Sequence, residues 1–182
     1  VPKRRIQEVH ERIDYKGAVI VPFNEESARQ AVRELRKEGV EAIGVCFLWS
    51  FKNRSHEQRM REIIKEEAPG IHVSISSEIV PAMREYERSA TTAVNCHIAP
   101  LLTKYLEDLQ DALSGRGLAA PLYVMQSIGG VMRASDVERR SVNTLISGPA
   151  GGVVASRFLG SLLGHQNIIC ADVGGTSFDV GL

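Results

Sequence analysis

Ala42-Ile43-Gly44-Val45-Cys46-Phe47-Leu48-Trp49 is an almost unbroken apolar run. Its length suits a strand covered on both faces, as in a parallel sheet. Upstream, Val19-Ile20-Val21-Pro22 reads as a short edge-like strand ended by its proline. Asn24 follows as a helix cap, with Glu25 and Glu26 in the first turn, where negative charge favours the free N–H groups. Ala28, Ala31, Val32 and Leu35 make the apolar stripe of that helix, and Gly39 stops it. Downstream, Ser55-His56-Glu57-Gln58 reads as a capping box opening a second helix, with Met60, Ile63 and Ile64 inward and Pro69-Gly70 closing it. Residues 71–75 alternate as a further strand. Strand, helix and strand in this order predict a βαβ unit, so roughly the first 78 residues are α/β.

Residues 90–113 repeat small or apolar side chains at helical spacing, and Pro100 inside them predicts a kink or break near Cys96 and His97. Strands are expected at 122–125, 144–146 and 167–171, with a helix over 149–163 between the last two. The chain has 182 residues, 43% hydrophobic and 24% charged, enough for a core without disulfide or metal staples. Lys plus Arg equal Asp plus Glu at 22 each, which gives no electrostatic reason to expect nucleic acid or an anionic membrane as partner. Cys46, Cys96 and Cys170 form no CxxC pair and fit a reducing, cytoplasmic setting. No apolar run reaches the roughly 18 residues of a membrane span. A start at Val1 and a stop just after a glycine-rich turn lead us to expect an internal piece of a longer polypeptide.

Two glycine-rich turns carry the possible chemistry. In Ser147-Gly148-Pro149-Ala150-Gly151-Gly152, Ser147 is placed to cap a helix and Pro149 to occupy its first position. Gly148, Gly151 and Gly152 allow either a phosphate or a neighbouring backbone to come close, and the two uses are compatible. In Asp172-Val173-Gly174-Gly175-Thr176-Ser177-Phe178-Asp179, a strand ends in a carboxylate, turns on two glycines, offers two hydroxyls and returns with a second carboxylate. Gly174 and Gly175 bare the N–H groups a phosphate needs, and Thr176 and Ser177 add donors. Asp172 and Asp179 are the residues to hold Mg2+ or to orient a water. The plain alternative is a hairpin with solvated aspartates. Elsewhere, alternating charge over Arg84-Glu85-Tyr86-Glu87-Arg88 reads as a solvated first turn, or as an arginine reaching a carbonyl or phosphate. His56 is expected exposed, His97 inward, and Cys46 and Cys170 as core thiols.

The second turn resembles the phosphate loops of actin-like ATPases, the superfamily of sugar kinases, actin and the heat-shock chaperones. The ordered set Arg84 to Thr92, Met125-Gln126-Ser127-Ile128-Gly129-Gly130, Ser147 to Gly152 and Asp172 to Thr176 is similar to the hydantoinase A/5-oxoprolinase family. The resemblance covers essentially the whole chain, with 1–78 matching the end of the family's N-terminal region and 79–182 the beginning of its catalytic domain. It implies a mixed sheet with flanking helices of the actin-like fold, and ATP and Mg2+ as cofactors. It also implies a cyclic amide or related carbonyl compound as substrate and a hydantoinase B-like subunit as partner. Asp172, Gly174, Gly175, Thr176 and Asp179 fall on the family's second phosphate loop. Ile128, in the Met125–Gly130 motif, and Phe178, in the second phosphate loop, depart from the family's pattern, each replacing a hydrogen-bonding side chain by an apolar one. The family's first phosphate loop and its adenosine-binding segment lie outside these residues, so the chain alone is expected to be catalytically silent. A sugar or small-acid kinase of the same superfamily and a non-catalytic packing module stay open as alternatives.

Overall fold

The computed structural model describes residues 1–182, which divide within one long helix into unit 1, residues 1–101, and unit 2, residues 102–182. In unit 1, β1 (Arg12–Ile13) and β2 (Val19–Val21) form an antiparallel ribbon. Asn24 caps α1 (Glu25–Lys37) as expected, its side-chain oxygen accepting from the Ser27 N–H at 2.8 Å, and Gly39 ends the helix in the left-handed region. The predicted stripe of Ala28, Ala31, Val32 and Leu35 is buried.

β3 (Ala42–Val45) and β4 (His72–Ile75) pair in parallel, with Ala42 opposite His72 and Val45 opposite Ile75. The crossover between them is α2 (Ser55–Glu67), which confirms the βαβ unit. Ile43, Val45, Ile75, Met60, Ile63 and Ile64 meet the α1 stripe in one core. A side chain at Gly44 would point at Thr92 and, 3.2 Å away, the Cys96 sulfur, so the opposite face of β3 is covered by a helix as well.

β3 is half the expected length, and the reason is chemical. The Phe47 N–H donates to Glu57 Oε1 at 2.9 Å, the Phe47 carbonyl accepts from Arg88 Nη2 at 2.6 Å, and Trp49 turns the chain with a φ of 60°. Side chains have taken the backbone groups that a longer ladder would have used. The expected capping box is also displaced. Ser55 lies inside α2, and its N–H is satisfied by the Asn53 side chain at 3.1 Å.

A short helix, α3 (Ser76–Ile79), leads to α4 (Glu85–Gly115), which runs through Pro100 without interruption. In unit 2, β5 (Tyr123–Met125) is the expected strand at 122–125, but it pairs with an unexpected β6 (Val131–Arg133) and its Tyr123 is exposed rather than buried. After α5 (Val137–Arg140), residues 144–146 form no strand. Thr144 ends a 3-10 turn, its hydroxyl donating to the Ser141 carbonyl at 2.7 Å, and Ile146 is left-handed with a φ of 59°. α6 (Ser147–Leu162) begins two residues before the expected start. The last strands, β7 (Cys170–Val173) and β8 (Phe178–Gly181), form an antiparallel hairpin, so the ladder sits later than the predicted 167–171.

Candidate functional site

Three of the four motifs read from the sequence converge on the first turns of α6. A methyl group built on Gly151 would lie 3.5 Å from Met125, one on Gly152 3.9 Å from Asp172 Oδ2, and one on Gly129 3.8 Å from Val154. A side chain on Gly181 would run into Val153. Small residues thus let β5, its loop and the β7–β8 hairpin close onto one helix.

The two expected uses of these glycines separate by position. Gly151 packs on Met125, and Gly160 closes on the Ile168 side chain. Gly148 has nothing within 4 Å of where a side chain would stand, and Gly152 leaves room beside the Asp172 carboxylate. Ser147 is not the cap. It is the first helical residue, behind a left-handed Ile146 with no side-chain cap, and Pro149 stands third, where its missing N–H deprives the helix of nothing.

Asp172 and Asp179 are register partners across the β7–β8 ladder. Side chains alternate along a strand, so both carboxylates share a face with Cys170 and Gly181, the face turned to α6. Ala171, Val173, Phe178 and Val180 occupy the other. Directly opposed partners have Cβ atoms about 4.5–5.5 Å apart, and like charges so placed repel. The only partner side chain within the hairpin is Ser177, whose hydroxyl donates to Asp179 Oδ2 at 3.2 Å.

The turn is closed by the Gly174 N–H donating to the Ser177 carbonyl at 3.0 Å. The Gly175, Thr176 and Ser177 N–H groups make no bond within the protein. Neither Gly174 nor Gly175 has a positive φ, so the backbone conformation does not require glycine here. What their bareness provides is room: a side chain at Gly175 would meet nothing within 4 Å.

The Gln126–Gly130 segment is the β5–β6 loop. Gly129 and Gly130 are both left-handed, at φ of 83° and 77°, and the Ser127 N–H donates to the Asn143 carbonyl at 2.7 Å. Ile128 projects from it, 82% exposed.

The remaining candidates are placed otherwise than expected. His56 is buried, with Nδ1 2.7 Å from Glu11 Oε2, while His97 is exposed. Cys46 and Cys170 are half-buried at the edges of their strands, and only Cys96 is a core thiol, its pKa raised by burial. Arg84 is solvated as expected, 3.7 Å from Glu87, but Arg88 is fully buried. Glu57, read in the sequence only as part of a capping box, is buried too, accepting from the Phe47 N–H, the Ser76 hydroxyl at 2.6 Å and the Ser77 N–H at 2.8 Å. Each lay on a legible stripe: Glu57 three residues before Met60, Arg88 four before Thr92. No group of three or more His, Cys, Asp or Glu side chains is gathered closely enough to hold a metal, and no helix is long and apolar enough to cross a membrane.

Comparison with known proteins agrees with this arrangement of motifs. Residues 88–182 match the hydantoinase/oxoprolinase family and residues 1–68 its N-terminal region. The chain belongs to the hydantoinase/oxoprolinase family. It is 33% identical to the caprolactamase alpha subunit of Pseudomonas jessenii over 182 residues, covering 100% of this chain and 26% of that protein. It is 36% identical to the acetone carboxylase beta subunit of Xanthobacter autotrophicus, again over 100% of this chain and 26% of the relative. The solved ATP-dependent caprolactamase of P. jessenii superposes with a TM-score of 0.89 at 33% identity, over 99% of this chain and 26% of that one. The chain therefore spans about a quarter of the length of these relatives.

Proposed function

We propose that the whole protein is a cytoplasmic ATP-dependent hydrolase of cyclic amides, and that Asp172 to Asp179 is one of its phosphate loops. The observation that carries this reading is the pairing of two carboxylates on one hairpin face, beside α6 and below a turn with three free N–H groups. The relatives supply the chemistry, since the P. jessenii caprolactamase is described as ATP-dependent. The residues suit Mg2+: two hard oxygen donors whose mutual repulsion a cation would relieve, with its remaining positions left to water and phosphate oxygens. ATP, when bound, supplies the phosphoryl group that turns an amide oxygen into a good leaving group.

The chain's own residues then have distinct tasks. Asp172 and Asp179 hold the metal or orient its waters. The Gly175, Thr176 and Ser177 N–H groups and the Thr176 and Ser177 hydroxyls neutralise phosphate charge. Ser147, Gly148 and Gly152 let phosphate approach the start of α6, while Gly151 packs on Met125. Within the proposal, the fold is actin-like, residue 78 divides the N-terminal region from the catalytic domain, and a hydantoinase B-like subunit is the partner. Subunit designations among the relatives, alpha in caprolactamase and beta in acetone carboxylase, support a partner of some kind.

The test is phosphate release by the full-length protein with Mg2+ and ATP, in the presence of hydantoin or 5-oxoproline. Substrate-stimulated release accompanied by ring opening is expected. A stable phosphorylated product would instead make the protein a kinase, and an absence of nucleotide turnover with either compound would end the reading.

A further inference from the structure

The loop between β5 and β6, Gln126 to Gly130, takes no part in the proposed phosphate loop, yet its shape is fixed twice over. Within it, the Gln126 N–H donates to the Gly130 carbonyl at 3.0 Å and the Gly129 N–H to the Gln126 carbonyl at 3.1 Å. From outside, Asn143 holds it. The Asn143 carbonyl accepts from the Ser127 N–H at 2.7 Å, and its Nδ2 donates to Gln126 Oε1 at 3.3 Å. That last bond orients the Gln126 carboxamide. It leaves Nε2 without an acceptor and Oε1 with a spare lone pair.

Gln126 directly follows Met125, which packs on Gly151, while Asp172 Oδ2 faces Gly152. Successive residues of a helix are turned by about 100°, so Gly148, one turn earlier, points between those two directions. A side chain at Gly148 would meet nothing within 4 Å. The opening over Gly148 is therefore flanked by the end of β5 on one side and by the Asp172 carboxylate on the other. Solvent reaches it, since Ser127, Ile128, Ile146 and Gly148 are all exposed.

We infer, resting on the phosphate-loop reading of this site, that Gln126 receives the amide group of the cyclic substrate and that Asn143 is its positioning residue. Closure of a small ring forces an amide to be cis, so a lactam shows its N–H donor and its carbonyl acceptor on one edge. A carboxamide side chain offers the complementary acceptor and donor on one edge of its own. Gln126 Nε2 donates to the substrate carbonyl, and the substrate N–H donates to the spare lone pair of Oε1. The second lone pair of the substrate oxygen stays free. Open-chain secondary amides are trans and cannot make both bonds at once. The chemical class selected is a ring with a free N–H next to its carbonyl.

The test is steady-state phosphate release by the full-length protein with Mg2+ and ATP, stimulated by hydantoin or 5-oxoproline and by the same ring with every nitrogen methylated. The parent should favour the free N–H ring at least about tenfold in kcat/KM. Gln126→Leu should lower kcat/KM for that ring about 10- to 100-fold, leave the KM for ATP unchanged and abolish the preference. Gln126→Glu keeps the shape, removes only the donor and should lose kcat/KM in the same direction. Asn143→Ala should cost several-fold in the parent and nothing further in Gln126→Leu, because it acts through that side chain. Additive losses would overturn the role of Asn143. A parent that releases phosphate while both Gln126 variants match its rate and its preference would overturn this inference alone. A parent that releases none with any of these compounds would overturn the hydrolase reading and this inference with it.

Discussion

Unit 1 buries an arginine, a glutamate and a histidine, whereas unit 2 leaves Phe158 63%, Leu163 72%, Val173 74% and Phe178 62% exposed. In unit 1 the charged groups sit inside a continuous apolar core, linked by hydrogen bonds to backbone atoms far away in sequence. In unit 2 the charged groups line one face of a hairpin, and the apolar residues of that hairpin form the opposite face with nothing upon it in this chain. Exposed apolar faces of this kind are uncommon on free-standing domains and mark surfaces made to be covered. The contrast separates two uses of polar chemistry: buried groups that shape a fold, and accessible carboxylates that remain free to meet an ion.

The largest effect expected from that contrast lies in unit 1. Replacing Glu57 with alanine removes three hydrogen bonds and strands buried donors, and should cost about 3–5 kcal/mol of stability by denaturant unfolding. A loss under about 1 kcal/mol would show that the network is not structural. In unit 2 the corresponding change should leave stability alone. Asp172→Ala in the full-length protein should reduce substrate-stimulated phosphate release about 30- to 150-fold, or about 2–3 kcal/mol in the transition state, with an unchanged melting temperature. Gly160→Ala sharpens the comparison by giving unit 2 a purely packing-based defect. Its new methyl group would meet Ile168 and the His165 carbonyl, and we expect about 1–3 kcal/mol of destabilisation without loss of nucleotide affinity per folded molecule.

How much of this was legible in the sequence follows from where the determinants lie. The cap and stripe of α1 are local, and they were read from Asn24 to Gly39 without error. Met60, Ile63 and Ile64 were placed inward for the same reason. The end of β3 was not legible, because Glu57 and Arg88, ten and forty-one residues away from Phe47, claim its backbone groups. Both had been read as polar residues of helix first turns, although both lie on inward stripes. β6 escaped notice because three residues, Val131 to Arg133, are too few to show a period, and residues 144–146 looked like a strand only by composition. At the hairpin, alternation and the glycine turn were enough to put Asp172 and Asp179 together. Gly174 and Gly175 were read as baring N–H groups; the structure adds that neither has a positive φ and that a side chain at Gly175 would meet only open space.

The smallest effect concerns the surface of unit 1. Arg33 and Arg29 hydrogen-bond Glu67, and Arg59 hydrogen-bonds Glu25, joining α1 to α2. These contacts hold both carboxyls below their ordinary pKa, which is about 4.3. Their contribution is therefore complete above that ordinary value and disappears as pH falls through the lowered ones. Thermal unfolding followed by circular dichroism between about pH 6 and pH 3 should show a declining midpoint in acid, and molar salt at pH 6 should reproduce part of it by screening.

Hydrogen–deuterium exchange on the full-length protein with and without Mg2+ and ATP tests the proposed phosphate loop most directly. The Gly175, Thr176 and Ser177 amides, free of bonds within the protein, should exchange more slowly when nucleotide is bound. Peptides from the βαβ core of unit 1 should be unchanged, and Asp172→Ala should abolish the protection. Nucleotide binding with no protection of those three amides would contradict the phosphate-loop assignment.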